Sequence, residues 1–274
     1  MRVAAVQLAT SLDKEANLDA VERAVHDAAG DGADLVVLPE ATMCSFGTAA
    51  TDLARLAEPL DGPFVATLAR LAAGTGATVV AGMFEPAPPP AAPSTATGRV
   101  YNTIVAVGPV GLVGAYRKFH LYDALGWKES DRIVPGDPST DGVLAFPVGD
   151  MVVGVMNCYD LRFPEMGRLL VDAGATVLVE PAHWVNGPGK AETWEVLLRA
   201  RAVENTAYVV AAGKPEPECI GHSMVVDPAG AVLGSLGGPE EGRVVVEVAV
   251  DRVAETRRQL PVLANRRLRV VPRR

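Results

Sequence analysis

A chain of 274 residues, 49% of them hydrophobic and 21% charged, can bury a large core and fits one large α/β domain; two domains are not required. Its 25 basic residues against 33 acidic ones leave a formal charge of −8, which argues against a phosphate-backbone partner, so no nucleic acid is expected. Cys44, Cys158 and Cys219 form no CxxC pair and cannot all pair within the chain, Met1–Ala9 is too short and too lightly charged for a secretion signal, and no apolar run reaches the roughly 20 residues that span a bilayer; a soluble, cytoplasmic protein without a membrane partner is expected.

Val3–Leu8 reads as a first strand. The helix after it carries Leu18, Val21, Val25 and Ala28 on one stripe and is stopped by Gly30 and Gly32. Asp34–Leu38 is a second strand ending at Pro39-Glu40. Helical regions follow around Leu53 and Leu56 and, after Asp61-Gly62-Pro63, along Phe64, Leu68 and Leu71. Thr78–Gly82 resumes the sheet, and such alternation predicts helices covering a sheet. The proline-rich Ala87–Gly98 reads as an exposed, semi-rigid loop. Val100–Val107 is a strand, another leads into Tyr116–Leu121, and Tyr122–Asp141 is irregular, a length of connection that is usually functional.

The stretch Gly154–Glu165, GVMNCYDLRFPE, organises the second half. An apolar, partly β-branched run, Met151–Met156, reads as a strand covered on both faces, and Pro164 then opens a helix holding Met166, Leu169 and Leu170 up to Gly174. Cys158 stands at the junction. Helix N–H groups beside it would favour a thiolate and hence a nucleophile; the alternative is a buried structural cysteine. Beyond it, Ala175–Glu180, Tyr208–Ala212, Ser223–Asp227 and Val244–Val250 read as strands, and Glu192–Thr206 as a helix with Trp194, Leu197 and Leu198 on one side. Asp34–Glu40 and Thr176–Pro181 echo each other, each closing an apolar strand near a proline and a carboxylate. Two similar half-sheets packed face to face would explain the echo. The basic segment from Arg257 to Arg274 reads as an inter-subunit or surface contact.

A thiol with an ordinary pKa of about 8.5 needs a base or a positive neighbour to react near neutral pH. Of four histidines, His26 reads as solvated surface, and a Cys/His dyad through His120 or His183 has no local motif behind it. The histidines lack metal-ligand spacing, so no metal is expected. Glu40 and Lys118 end strands where the catalytic groups of open α/β sheets project, although singly each could be an ordinary surface charge. Gly187-Pro188-Gly189-Lys190 lacks the first glycine of a P-loop and its hydroxyl, and reads as a plain loop.

Together Pro39-Glu40-Ala41, Tyr116–Leu121 and Asn157–Glu165 resemble the three signatures of the nitrilase superfamily of carbon–nitrogen hydrolases, in that family's order. Further similarity runs to about Val250. The CYDLRFPE form is most similar to the amidase branch that contains deaminated-glutathione amidase and omega-amidase, and differs from true nitrilases, whose cysteine is typically followed by Trp-Glu. The resemblance implies a four-layer α-β-β-α sandwich, a single hydrolase domain over residues 1–274 with a C-terminal extension from about 251, and a Glu-Lys-Cys triad. Glu40 would be the general base, Cys158 the nucleophile, and Lys118 with the backbone N–H of Tyr159 the oxyanion site. Glu129 would be the counterpart of the family's second glutamate, and Arg162 a carboxylate-binding residue, unless Arg162 is a structural ion pair with Asp160 or Glu165. The implied reaction is hydrolysis of a small amide through a thioester with release of ammonia, without cofactor, in a homodimer or larger homo-oligomer. The same machinery would serve an N-carbamoyl amino acid hydrolase, a nitrile hydrolase or an acyl transferase, and the scaffold alone could serve a non-catalytic binding protein.

Overall fold

The computed structural model describes residues 1–88, 98–215, 217 and 219–271. Most of the proline-rich loop therefore lies outside the described residues. In the first half, β1 (Arg2–Gln7) leads to α1 (Lys14–Gly30), β2 (Leu35–Val37), the short α2 (Leu53–Leu56), α3 (Pro63–Thr75), β3 (Thr78–Pro86), β4 (Val100–Gly108) and β5 (Gly111–Arg117). A small hairpin of β6 (Asp123–Ala124) and β7 (Trp127–Lys128) interrupts the connection that the sequence left irregular. The second half runs β8 (Ala145–Val148), β9 (Met151–Val155), α4 (Pro164–Asp172), β10 (Val177–Ala182), α5 (Lys190–Asn205), β11 (Tyr208–Gly213), β12 (Met224–Val226), β13 (Val232–Ser235), β14 (Gly242–Glu247) and α6 (Val250–Gln259).

Two six-stranded sheets result, ordered β14-β1-β2-β3-β4-β5 and β8-β9-β10-β11-β12-β13. In each, three parallel strands are flanked by one antiparallel strand on one side and two on the other. β2 and β10 are the central strands of the two parallel triplets, so the echo between their sequences marks equivalent positions in two matching half-sheets. Side-chain alternation sets the layers. Val3 and Ala5 of β1, with Leu35 and Val37 of β2, join Val153, Val155, Val177 and Val179 in the core between the sheets. Their neighbours Ala4, Val6 and Val36 turn outward onto Val21 and Val25 of α1 and Phe64 and Leu68 of α3. On the far side, α4 and α5 cover the second sheet through Leu170, Trp194 and Leu198. The stacking is the expected α-β-β-α sandwich.

Local chemistry explains the helix ends. Asp13 caps α1 by accepting from the N–H groups of Glu15 and Ala16, and Pro63 and Pro164 open α3 and α4 where a missing N–H costs nothing. Helix α5 starts at Lys190, slightly ahead of the expected Glu192. Among the described residues no helix is long and apolar enough to cross a membrane. The basic C-terminal segment lies partly on its own chain, with Arg266 paired to Asp172 of α4.

One glycine sets the distance between β3 and the turn after β2. A Cβ on Gly82 would stand 2.3 Å from the backbone nitrogen of Ala41 and 2.8 Å from the Cα of Glu40. That turn also carries Ala41 at φ 53°, and its chain is bonded to β3 through Gly82 N–H to Pro39 and Met43 N–H to the Gly82 carbonyl. Gly82→Ala should therefore destabilise the protein by about 1–3 kcal/mol, as overpacking against backbone typically does. Urea unfolding measures this; a midpoint unchanged from wild type would show that the close approach is not a constraint.

Candidate active site

Four segments deliver side chains to one cavity at the ends of the sheets. Glu40 lies just past β2, where Pro39 and the strained Ala41 turn the chain out of the sheet. Lys118 follows β5 and is held beside Asn102 of β4 by its N–H to the Asn102 carbonyl at 2.9 Å. Glu129 starts a single 3₁₀ turn, Glu129–Asp131, just after the hairpin. Cys158 begins another 3₁₀ turn, Cys158–Arg162, placed between β9 and α4, with a left-handed φ of 52°. A non-glycine residue in that region is strained and is kept there only by its surroundings.

Those surroundings are hydrogen bonds to Asp160. Its carboxylate accepts from the Tyr116 hydroxyl at 2.6 Å and the Asn157 N–H at 3.0 Å, and contacts His120 Nδ1 at 2.6 Å. Tyr116 and His120 flank Lys118 in sequence, so the turn carrying Cys158 is tied directly to the segment carrying the lysine. Asn157 adds a bond from Nδ2 to Asn102 Oδ1 at 3.1 Å.

The charged centre is buried, with Glu40 1%, Lys118 2% and Glu129 2% exposed. Lys118 Nζ donates to Glu40 Oε1 at 2.8 Å and to Glu129 Oε2 at 3.0 Å. Asn102 Nδ2 reaches Glu40 at 2.7 Å and Glu129 at 3.0 Å. The second oxygen of Glu40 accepts from the backbone N–H of His183 at 2.8 Å, and that of Glu129 from the N–H of Tyr122 at 2.6 Å. Burial by itself raises the Glu40 carboxyl, but the charge and hydrogen bond of Lys118, with His183 and Asn102, bring it down to about 2. Lys118 opposes its own burial through the charges of Glu129 and Glu40 and is held well above the usual lysine range.

Cys158 departs from the sequence reading. Burial and the charge of Glu40 push its thiol well above the ordinary value, and Lys118 offsets only part of this. The thiolate that a helix N-terminus would favour is therefore not the resting form: the sulfur sits in a short 3₁₀ turn facing a carboxylate, and a hydrogen bond to Glu40 further favours the S–H.

The cavity encloses about 220 Å³, and Glu40, Lys118, Glu129, Cys158, Tyr159 and Arg162 all line it. As the second residue of its turn, Tyr159 has an N–H with no acceptor inside the helix. The Arg162 ion pair does not form, because Asp160 is taken by Tyr116, His120 and Asn157; the guanidinium lies instead 4.8 Å over the Trp184 ring. His120 stacks on Phe163 and is not a wall of the cavity, which removes it as a dyad partner, whereas the ring of His183 does line it, packed edge-on against Phe46. Glu180, the carboxylate of the sequence echo, is fully buried within β10, and burial with the charges of Asp160 and Glu40 pushes it well above the usual carboxylate range.

Sequence reasoning passed over Asn102 and Trp184, read Asp160 only as a possible partner of Arg162, and read Lys190 as part of a plain loop. Asn102 carried a usable signal, since a buried asparagine in the run Val100–Val107 goes against strand propensity. Trp184 and Lys190 carried none, because the loop between β10 and α5 has no periodicity to place them.

Because the charge of Glu40 raises the thiol, removing it should lower the thiol's pKa. Alkylation of Cys158 by iodoacetamide, followed by mass spectrometry of its peptide, should quicken with pH well past the ordinary thiol value of about 8.5 in wild type and shift to lower pH in Glu40→Gln. A wild-type rate that levels off below that value would contradict the electrostatic picture.

The family model described as carbon-nitrogen hydrolase matches residues 2–258. The chain is 37% identical over 267 residues to the deaminated glutathione amidase of Escherichia coli O157:H7, with 97% of each chain covered. It is 34% identical over 277 residues to the omega-amidase of Danio rerio, covering 97% of this chain and 94% of that one. Among solved structures, a Glu-to-Gln variant of an amidase from Nesterenkonia sp. AN1, in which acrylamide has undergone Michael addition at the active-site cysteine, superposes with a TM-score of 0.77 at 27% identity, covering 95% of this chain and 98% of that one. With these matches across nearly its whole length, the chain belongs to the carbon–nitrogen hydrolase family, as an amide-hydrolysing member of the nitrilase superfamily.

Proposed function

We propose that Cys158, Glu40 and Lys118 are the catalytic triad of an amidase that acts on a small, carboxylate-bearing amide. The observation that carries this is the convergence of the thiol, a carboxylate and a buried ammonium on one cavity. Glu40 takes the thiol proton as sulfur attacks the amide carbonyl. The tetrahedral oxyanion is met by Lys118 Nζ and the N–H of Tyr159. Glu40 then returns the proton to the departing nitrogen, leaving ammonia and a thioester on Cys158. In the second half Glu40 deprotonates a water, which attacks the thioester; the acid leaves and the thiol is restored.

The low pKa of Glu40 and the high one of Cys158 make proton transfer uphill at rest. As the oxyanion forms and draws a hydrogen bond from Lys118, the hold of that ammonium on Glu40 weakens, and the carboxylate becomes a stronger base when it has to accept the proton. Glu129 and Asn102 keep Lys118 aimed during that exchange. The acid side of the substrate is met by Arg162, whose guanidinium is half-buried at the cavity wall and suits a carboxylate with its fixed fork. The relatives' names, deaminated glutathione amidase and omega-amidase, support an amide substrate of this kind.

A screen for ammonia release across omega-amides, N-carbamoyl amino acids and nitriles tests the reading, with turnover expected on the omega-amides. Cys158→Ala and Glu40→Gln should fold, as judged by circular dichroism, and lose hydrolysis. Lys118→Ala should fall by about 10²–10³ in turnover, the usual worth of one oxyanion donor. Near-wild-type turnover by Cys158→Ala would end the proposal.

We further propose that this single hydrolase domain works as a cytoplasmic homodimer or larger homo-oligomer joined through α4 and α5. Most of the apolar stripe of α5 is used internally by Trp194 and Leu198, but Val196 and Val203 on its outer face remain 65% and 46% exposed. Light scattering at micromolar concentration should give at least twice the chain mass; a pure monomer would refute the assembly.

A further inference from the structure

Lys190 is in an unfavourable place for a cation. It opens the 16-residue α5, where the helix macrodipole presents its positive end. Aromatic contacts keep it there: Nζ lies 5.3 Å from the Tyr122 ring centroid and 5.8 Å from that of Trp184, and donates to the Tyr122 hydroxyl at 3.3 Å. Trp184 also fixes the backbone at this point by donating from Nε1 to the Lys190 carbonyl at 3.2 Å.

Arg162 stands over the same indole at 4.8 Å. Two like charges are thus gathered on one ring at the wall of the cavity, and neither has an acidic partner among the described residues. At the buried centre Lys118 faces the two carboxylates Glu40 and Glu129, whereas the aromatic end of the cavity holds two cations, Arg162 and Lys190, and no carboxylate among the described residues that line it. The enclosed space of about 220 Å³ lies below the ~300–1,000 Å³ of sites for drug-sized ligands, so the molecule gripped there is small.

We infer that Lys190 is a specificity residue which, together with Arg162, clasps one carboxylate of the substrate across Trp184. The guanidinium supplies a planar fork and the ammonium a compact charge to the same carboxylate. The inference rests on the amidase reading for its substrate, but the clasp is testable by binding alone.

The comparison is between glutaramate, the monoamide of a five-carbon dicarboxylic acid, and the uncharged pentanamide, in wild type, Lys190→Gln, Arg162→Lys and the double variant. Wild type should prefer the acid, and Lys190→Gln should lose at least about tenfold more efficiency on glutaramate than on pentanamide, mainly through KM, as expected for one charge-assisted hydrogen bond. The double variant should lose less than the product of the single losses, because both residues hold the same carboxylate. Equal losses on both amides, or independent effects of the two residues, would overturn the clasp. Calorimetry with glutarate supplies the readout that does not need turnover: Cys158→Ala with Lys190→Gln should bind it about tenfold more weakly than Cys158→Ala alone, with a smaller dependence on salt. If no amide is hydrolysed by wild type yet this difference appears, the amidase reading fails and the clasp stands. If glutarate binds equally to both proteins, or to neither, the clasp fails.

Discussion

Lys118 is an ammonium ion almost without access to water, and much of the molecule's layout follows from keeping it charged. An isolated cation so buried would be neutralised. Two carboxylates, Glu40 and Glu129, and the amide of Asn102 between them make its site tolerable. Those groups come from the end of β2, from the turn after the β6–β7 hairpin and from β4. None of them is close to Lys118 in the chain except Glu129. The facing of two half-sheets is what allows a strand end from the first sheet to meet the turn after β9 in the second.

The same closeness links the proposed acid–base pair. Lys118, with His183 and Asn102, draws the Glu40 carboxyl downward, while burial and the charge of Glu40 push the Cys158 thiol upward against the partial pull of Lys118. A pair of groups separated in this way stays in a defined protonation state across neutral pH, with the proton on sulfur and the charge on oxygen. In the proposed reaction such a site is quiescent until a substrate carbonyl gives Lys118 a better partner.

How much of this was legible in the sequence depended on whether a residue belongs to a periodic element or to a contiguous motif. The short apolar runs Val3–Leu8 and Asp34–Leu38 specified strands, and the similarity of Asp34–Glu40 to Thr176–Pro181 foretold two matching half-sheets, because equivalent strands in the same environment need the same burial pattern. The motifs around Glu40, Lys118 and Cys158 were readable because each is local. The state of the thiol was not readable: it depends on burial and on Glu40, 118 positions away, and the nearby helix start pointed the wrong way. The bond from Tyr116 to Asp160 was not readable for the same reason, since a link between the motif around Lys118 and the one around Cys158 exists only once the chain is folded. Lys190 was set aside as part of a loop, and its spacing from Trp184 acquires meaning only when the loop folds back over the cavity.

That contrast separates two kinds of construction within one cavity. Around Lys118 every partner is buried and doubly bonded, so a substitution leaves an unpaired charge and is expensive to tolerate. At the other end, Arg162 and Lys190 are held by ring faces rather than by carboxylates, which fixes their position without neutralising them. A cation on an aromatic face keeps its charge available, and its removal strands no buried partner. Recognition at that end can therefore change through Arg162, at the end of the turn after β9, and Lys190, at the start of α5, while the charged centre stays intact.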